Sequence, residues 1–304
     1  MQRLYVNRDD PIYTYAISFM ETHWGVKGTF PGCQPVSIEF RHFDTLKRHT
    51  YVVCEKTDGV RFMLLAFMYG NKKRCMFVNR ALDMFECPLN FRKPVYDGTI
   101  LEGELYEDTF MIYDCLLASG SIVGNKHFID RLENIEKLMK MLTILKYDPI
   151  KLKIKNFYPL KEFEIFMNTY LPTVNQKIDG LIFTPVMDTI KTGTHETMFK
   201  WKPRDKNTID FQFKKKGAIW RLYVQERGKL IFESEIREDQ VPRGMHIEED
   251  SIVECQYMHQ DEPMWWKPVQ LRPDKTYPNG RRTFYRTLVN IKEDIKMSDF
   301  LSCT

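Results

Sequence analysis

With 304 residues the chain is long enough for two domains, and its 43% hydrophobic and 28% charged content is that of a soluble globular protein. A net charge of +4, from 45 basic and 41 acidic residues, permits a polyanionic partner without demanding one. Seven scattered cysteines, with no Cys-x-x-Cys pair and no histidine at zinc spacing, argue against a disulfide framework and a structural zinc site and for a reducing compartment. No apolar run reaches signal-peptide or membrane-spanning length, so the chain is expected to be neither secreted nor anchored.

In chain order, Asp9-Asp10-Pro11 opens a helix expected over 11–24, and the Pro and Gly content of 28–37 makes that stretch a loop. Apolar runs at 51–54 and 60–68 read as buried strands flanking a polar turn, Glu55-Lys56-Thr57-Asp58-Gly59-Val60-Arg61. Gly70-Asn71-Lys72 is a hairpin turn, 74–79 pairs back, and Arg80 ends that strand. Strands continue at 100–106, 110–117 and 181–185. Between them, 127–145 and 161–171 carry apolar residues at i, i+3, i+4 spacing and are expected to be core helices. From Phe211 to about Tyr257 short alternating segments separated by Gly217, Gly228 and Gly244 predict a small five-stranded barrel of the oligonucleotide-binding type. A C-terminal helix is expected over 288–301.

The turn at Lys56 is where chemistry enters. A lysine at a strand end, followed by Asp58, Gly59 and Arg61, suits covalent attack on phosphorus once its proton is removed. An ordinary lysine, with a pKa near 10.4, keeps only about one molecule in a few thousand unprotonated at neutral pH. Gly59 is expected to let the backbone approach a ligand, and Arg61 to hold a sugar or phosphate oxygen. On these residues alone a solvated turn is the plainer reading.

The later chain supplies what such a lysine needs. Glu102-Gly103-Glu104 places carboxylates on a strand, Tyr113-Asp114 sets an aromatic beside an acid, and Lys177-Ile178-Asp179-Gly180 puts a cation before another acid-glycine step. Lys200 and Lys202, at period two beside Trp201, present two ammonium groups to one face, which calls for an anion such as a triphosphate. Lys214-Lys215-Lys216 reads as a solvated hairpin flank and Trp265-Trp266 as barrel packing.

These segments, with Arg272-Pro273-Asp274-Lys275 further on, resemble in order six motifs of eukaryotic-type mRNA guanylyltransferases, the capping branch of the covalent nucleotidyltransferases that also include polynucleotide ligases. Phe30-Pro31-Gly32-Cys33-Gln34-Pro35-Val36-Ser37 resembles an upstream segment that ligases do not share. Glu102 departs from the aspartate more usual before Gly-Glu and is expected to be the less critical of the two acids. The resemblance implies an α+β fold: a nucleotidyltransferase domain of antiparallel sheets with flanking helices, adenylation-type and ATP-grasp-like, over 1–210, and an OB-fold barrel over 211–287. The last segment, 288–304, would be a helix packing back on the first domain.

The resemblance further implies that Lys56 takes GMP from GTP as a lysyl-N-GMP and passes it to a 5′-diphosphate RNA. Arg61 and Glu104 would hold the ribose, Tyr113 would stack on guanine, and Lys177 would meet the purine O6. Asp58 would complete the nucleotide site, and Arg80 is a further candidate for a phosphate contact. Lys200 and Lys202 would neutralise the α-phosphate, while Arg272, Asp274 and Lys275 would align the pyrophosphate. Mg²⁺ or Mn²⁺ would be held by Glu104 and Asp179. The implied partners are a separate RNA triphosphatase and the RNA polymerase II C-terminal tail, without a membrane, in the nucleus or in a cytoplasmic viral factory. The rival expectations are an ATP-dependent polynucleotide ligase and a catalytically silent scaffold.

Overall fold

The computed structural model describes residues 4–261, 263–273 and 275–304. Two compact units emerge: one from residues 1–36, 44–200 and 301–304, the other from 37–43 and 201–300. The first contains β1 (Leu4–Val6), α1 (Pro11–Trp24), β2 (Gln34–Ser37), α2 (Phe43–Arg48), β3 (Tyr51–Thr57), β4 (Val60–Tyr69), β5 (Lys72–Asn79), β6 (Met84–Glu86), β7 (Thr99–Tyr106), β8 (Thr109–Ala118), β9 (Ser121–Ile122), α3 (Phe128–Met139), β10 (Lys151–Ile154), β11 (Tyr158–Pro159), α4 (Phe163–Ile165), β12 (Ile178–Pro185) and β13 (Thr194–Trp201).

These strands form two sheets. One runs β1-β6-β5-β4-β7-β8-β10, with β9 against β8; the other runs β11-β3-β12-β13-β2. The unbroken apolar run of β4 is explained by burial on both faces. Phe62, Leu64 and Ala66 face a core shared with Ile135 and Leu138 of α3, whereas Met63, Leu65 and Phe67 pack with Ala16 and Met20 of α1. Helix α1 starts where Asp10 accepts a hydrogen bond from the Ile12 amide at 3.0 Å and ends at Gly25 in the left-handed region, φ 69°. The helix expected over 161–171 is instead broken, with the single turn of α4 between a tight turn at Leu160–Glu162 and a wide one at Phe166–Tyr170.

What positions the site is a change of sheet. β3 and β4 are consecutive, yet β3 belongs to the smaller sheet and β4 to the larger, so the chain crosses between them at Asp58-Gly59. The crossing is tight: a Cβ on Gly59 would lie 2.6 Å from the Leu105 carbonyl oxygen of β7 and 2.9 Å from Glu104 Cγ. The neighbouring strand by itself therefore requires glycine at position 59.

The second unit contains β14 (Thr208–Lys216), β15 (Ile219–Glu226), β16 (Lys229–Arg237), β17 (Ile252–Met258), β18 (Trp265–Leu271) and α5 (Arg281–Glu293). Its antiparallel sheet runs β16-β15-β14-β17-β18, so the first strand is central. Among the described residues no pairing joins β16 to β18, and the expected barrel is an open five-stranded sheet in its hydrogen bonding. The helix begins at Arg281 rather than 288, and its Phe284 and Ile291 complete the core of Phe211, Leu222, Val253 and Trp266. Its apolar side is thus spent on its own unit, while residues 301–304 cluster with the first.

Candidate active site

A cavity of about 260 Å³ opens where the two sheets of the first unit meet, lined by Lys56, Arg61, Arg80, Glu104, Tyr113 and Lys200 among others. Lys56, near the end of β3, donates to both carboxylate oxygens of Asp179 on the adjacent strand β12, at 2.9 and 3.1 Å. A register shift between Ile178, opposite Thr57, and Gly180, opposite Lys56, leaves Asp179 as the extra residue beside the lysine. Glu104 accepts from the Gly59 amide at 3.3 Å; burial raises its pKa, against the opposing pull of Lys56 and Lys155.

Arg61, opening β4, is clamped from several sides. Its Nη1 donates to the Cys33 carbonyl at 2.6 Å, its Nη2 to Glu102, and its guanidinium lies over the rings of Phe30 and Tyr113, with centroids at 5.5 and 5.9 Å. Burial works to lower the Arg61 pKa, but Glu102 more than offsets it and the guanidinium stays charged. Glu102, expected to matter less than Glu104, is therefore the buried counter-ion of this arginine; burial raises its pKa and Arg61 opposes that rise. Gly32 closes the clamp, since a Cβ there would fall 2.5 Å from Arg61 Nη2 and 2.7 Å from Glu102 Oε1. Arg61 Nε is buried with no hydrogen-bond partner, a donor left for a ligand oxygen.

Tyr113 is braced from behind. Its neighbour Asp114 takes a two-pronged ion pair from Arg131 of α3, Nε–Oδ1 2.7 Å and Nη2–Oδ2 3.1 Å, and Arg131 Nη1 also reaches the main-chain oxygens of Lys126 and Asp188.

Lys155 is a pocket-lining residue that the motif reading missed. It is buried, donates to Thr57 Oγ1 at 2.9 Å, and lies 3.6 Å from Glu55, which in turn accepts from the Tyr170 hydroxyl at 3.2 Å. The only signal was a lysine at every second position, Lys151, Lys153 and Lys155, which also describes a solvated strand edge.

Other expected site residues lie elsewhere. Lys177 does not line the cavity: its ammonium pairs with Asp58 at 2.6 Å, and both are exposed. Lys200 lines the cavity, but Lys202, just past the end of β13, does not and clusters with the second unit. Arg272 and Lys275 are in the second unit, where both pair with Asp210; Arg272 also lies 3.5 Å from Glu254. Asp274 lies outside the described residues. Among the described residues no three acidic, histidine or cysteine side chains cluster as metal ligands. Glu104 lines the cavity and Asp179 pairs with the cavity-lining Lys56, and each is a carboxylate of the kind that Mg²⁺ or Mn²⁺ takes, one or two at a time, while completing its shell with substrate phosphate.

A lysine seated between two sheets, tied to one carboxylate and surrounded by arginine, lysine and an aromatic ring, fits the nucleotidyltransferase class. Family models bear on which member of that class this is: the mRNA capping enzyme catalytic domain matches residues 7–204, and the mRNA capping enzyme C-terminal domain matches 183–301. The chain belongs to the mRNA capping enzyme family.

It is 26% identical to the mRNA-capping enzyme subunit alpha of Schizosaccharomyces pombe, over 90% of this chain and 79% of that one. It is 28% identical to the mRNA-capping enzymes of Danio rerio and Mus musculus, over 86% and 84% of this chain but only 47% and 46% of those proteins. The chain thus spans about half the length of these two vertebrate relatives. A mycobacterial DNA ligase D structure superposes with a TM-score of 0.43 at 13% identity, covering 81% of this chain and 95% of that one, too loosely to argue from.

Proposed function

We propose that the chain is a GTP:RNA guanylyltransferase that carries GMP on Lys56 and delivers it to the 5′-diphosphate end of RNA. The observation that carries this reading is Lys56 inside a cavity also lined by Arg61, Arg80, Lys155 and Lys200, a concentration of positive charge that suits a nucleoside triphosphate.

In the first half-reaction Lys56 Nζ forms a bond to the α-phosphorus as the bond to the β-phosphate bridging oxygen breaks and pyrophosphate leaves. The ammonium must first lose a proton, and Asp179, 2.9 Å away, is the nearest acceptor and fixes the direction of Nζ. Arg61 Nε supplies the donor for a ribose oxygen, Tyr113 the ring for the base, and Lys200 the charge against the α-phosphate. Lys155, with one N–H spent on Thr57 and another toward Glu55, retains a donor for an acceptor such as the guanine O6. That role passes to it from Lys177, which stands outside the cavity. Arg272 and Lys275 would meet the leaving pyrophosphate. Glu104 and Asp179 would hold a divalent ion, which shields phosphate charge when bound. In the second half-reaction the terminal phosphate oxygen of the RNA displaces Lys56 from phosphorus and closes the 5′-5′ link.

This reading also implies an RNA triphosphatase upstream, a polymerase-tail partner and a nuclear setting. The test is to incubate the chain with GTP or ATP and a divalent ion, then weigh it intact and map the adduct. One GMP on Lys56 is expected; labelling by ATP alone, or GMP on another residue, would overturn the assignment.

A further inference from the structure

On β14 to β16 the core takes Ile209, Phe211, Phe213, Trp220, Leu222 and Val224. Alternation therefore sends Asp210, Gln212, Lys214, Arg221 and Tyr223 to the opposite face. Register fixes their neighbours: Tyr223 stands between Gln212 of β14 and Phe232 of β16, and Arg221 stands opposite Lys214. On this face Phe232 is 47% exposed, the Tyr223 and Phe232 rings meet edge to face with centroids 5.9 Å apart, and the Arg221 guanidinium lies 5.3 Å from the Phe232 centroid.

Arg221 makes no hydrogen bond or ion pair among the described residues, and its Nε is a buried donor with no acceptor. An aromatic pair with a stacked, unsatisfied guanidinium is costly to leave in water and matches what a nucleobase and its phosphate offer. Continuity supports the same occupant: Asp210, which pairs with Arg272 and Lys275, lies on this face one pleat along β14 from Gln212.

We propose that the outer face of β15 and β16 is a stacking platform for the single-stranded 5′ segment of the acceptor RNA, with bases on Tyr223 and Phe232 and a phosphate on Arg221. This rests on the guanylyltransferase reading for the identity of the RNA, but not for its binding.

The test uses the full chain and a single-stranded RNA of about 12 nucleotides, within the span such sheets cover. Fluorescence anisotropy should show Tyr223→Ala/Phe232→Ala binding roughly tenfold or more weakly than wild type, while Tyr223→Phe, which keeps the ring, binds as wild type. Labelling by GTP and thermal melting should not move. Crosslinking of wild type with 4-thiouridine RNA should fall on β15 or β16, a readout that needs no variant. Unchanged RNA affinity in a folded double variant, as expected if the face docks a protein instead, overturns the proposal. So do crosslinks confined to other elements. If wild type forms no GMP adduct yet the double variant loses RNA, the platform stands and the guanylyltransferase reading falls; an adduct without any RNA binding gives the reverse.

Discussion

Arg131 and Arg272 are both held by an aspartate, yet their surroundings differ. The Arg131 side chain is 2% exposed and that of Asp114 7%, and every arm of the guanidinium meets a carboxylate or carbonyl. Arg272 is 24% exposed and shares Asp210 with Lys275. A charge pair taken wholly out of water is a fixture, because separating it strands an ion in a poor solvent. A pair that keeps water at its edge can trade one anion for another at little cost. The first arrangement suits a wall that must hold Tyr113 still. The second suits cations that can leave an aspartate for another anion.

The contrast can be broken most forcefully at Arg131. Arg131→Ala should lower unfolding stability by about 3–5 kcal/mol, because Asp114 is left buried and unpaired; a urea midpoint equal to wild type would remove the distinction. Arg272→Ala should behave oppositely, slowing GMP-adduct formation by roughly 10²–10³-fold while changing stability by less than about 1 kcal/mol. Rapid-quench labelling and denaturation on the same sample would measure both.

Next in size, Gly59→Ala should cost about 1–3 kcal/mol through its clash with the Leu105 carbonyl, with activity lost in step. A substitution that left stability intact but blocked GTP would show that close approach of the ligand, and not the neighbouring strand, is what demands glycine here.

The smallest effect concerns His195, whose main-chain neighbourhood joins the Arg131 fixture through Asp188. Burial, helped by Lys191, holds its pKa below the ordinary value of 6.5, and Asp188 only partly opposes this. Below pH 6.5 the unfolded chain takes a proton that the folded one refuses, so stability falls as pH drops through that value toward the lowered folded pKa. The slope is at most about 1.4 kcal/mol per pH unit. Comparing wild type with His195→Gln between pH 5 and pH 7 isolates it: the variant's stability should depend less on pH.

How much of this the chain disclosed by pattern alone depended on range. Lys56, Arg61, Glu104, Tyr113 and Lys200 line one cavity because each sits in a short motif on a strand, where local spacing dictates direction. Lys155 escaped notice because what distinguishes it from Lys151 and Lys153 is a partner nearly a hundred residues away, Thr57, which no periodicity encodes. Lys177 looked well placed beside Asp179, but the bulge at Ile178/Gly180 intervenes and the lysine pairs with Asp58 instead. What constrains Gly59 and Glu102, namely β7 and Arg61, lies outside their own motifs, where local spacing does not reach. The second unit's strands were visible as alternation, whereas whether its edges join depends on twist, which sequence pattern does not carry.

All seven cysteines are buried and none forms a disulfide. Thiol reagents would therefore read the breathing of this molecule from within. Cys255 would time the opening of the second unit's core, while Cys33 and Cys54, in the cavity wall, should be shielded when nucleotide binds. One alkylation series, resolved by peptide, would yield separate clocks for the two halves of the chain without any label being introduced.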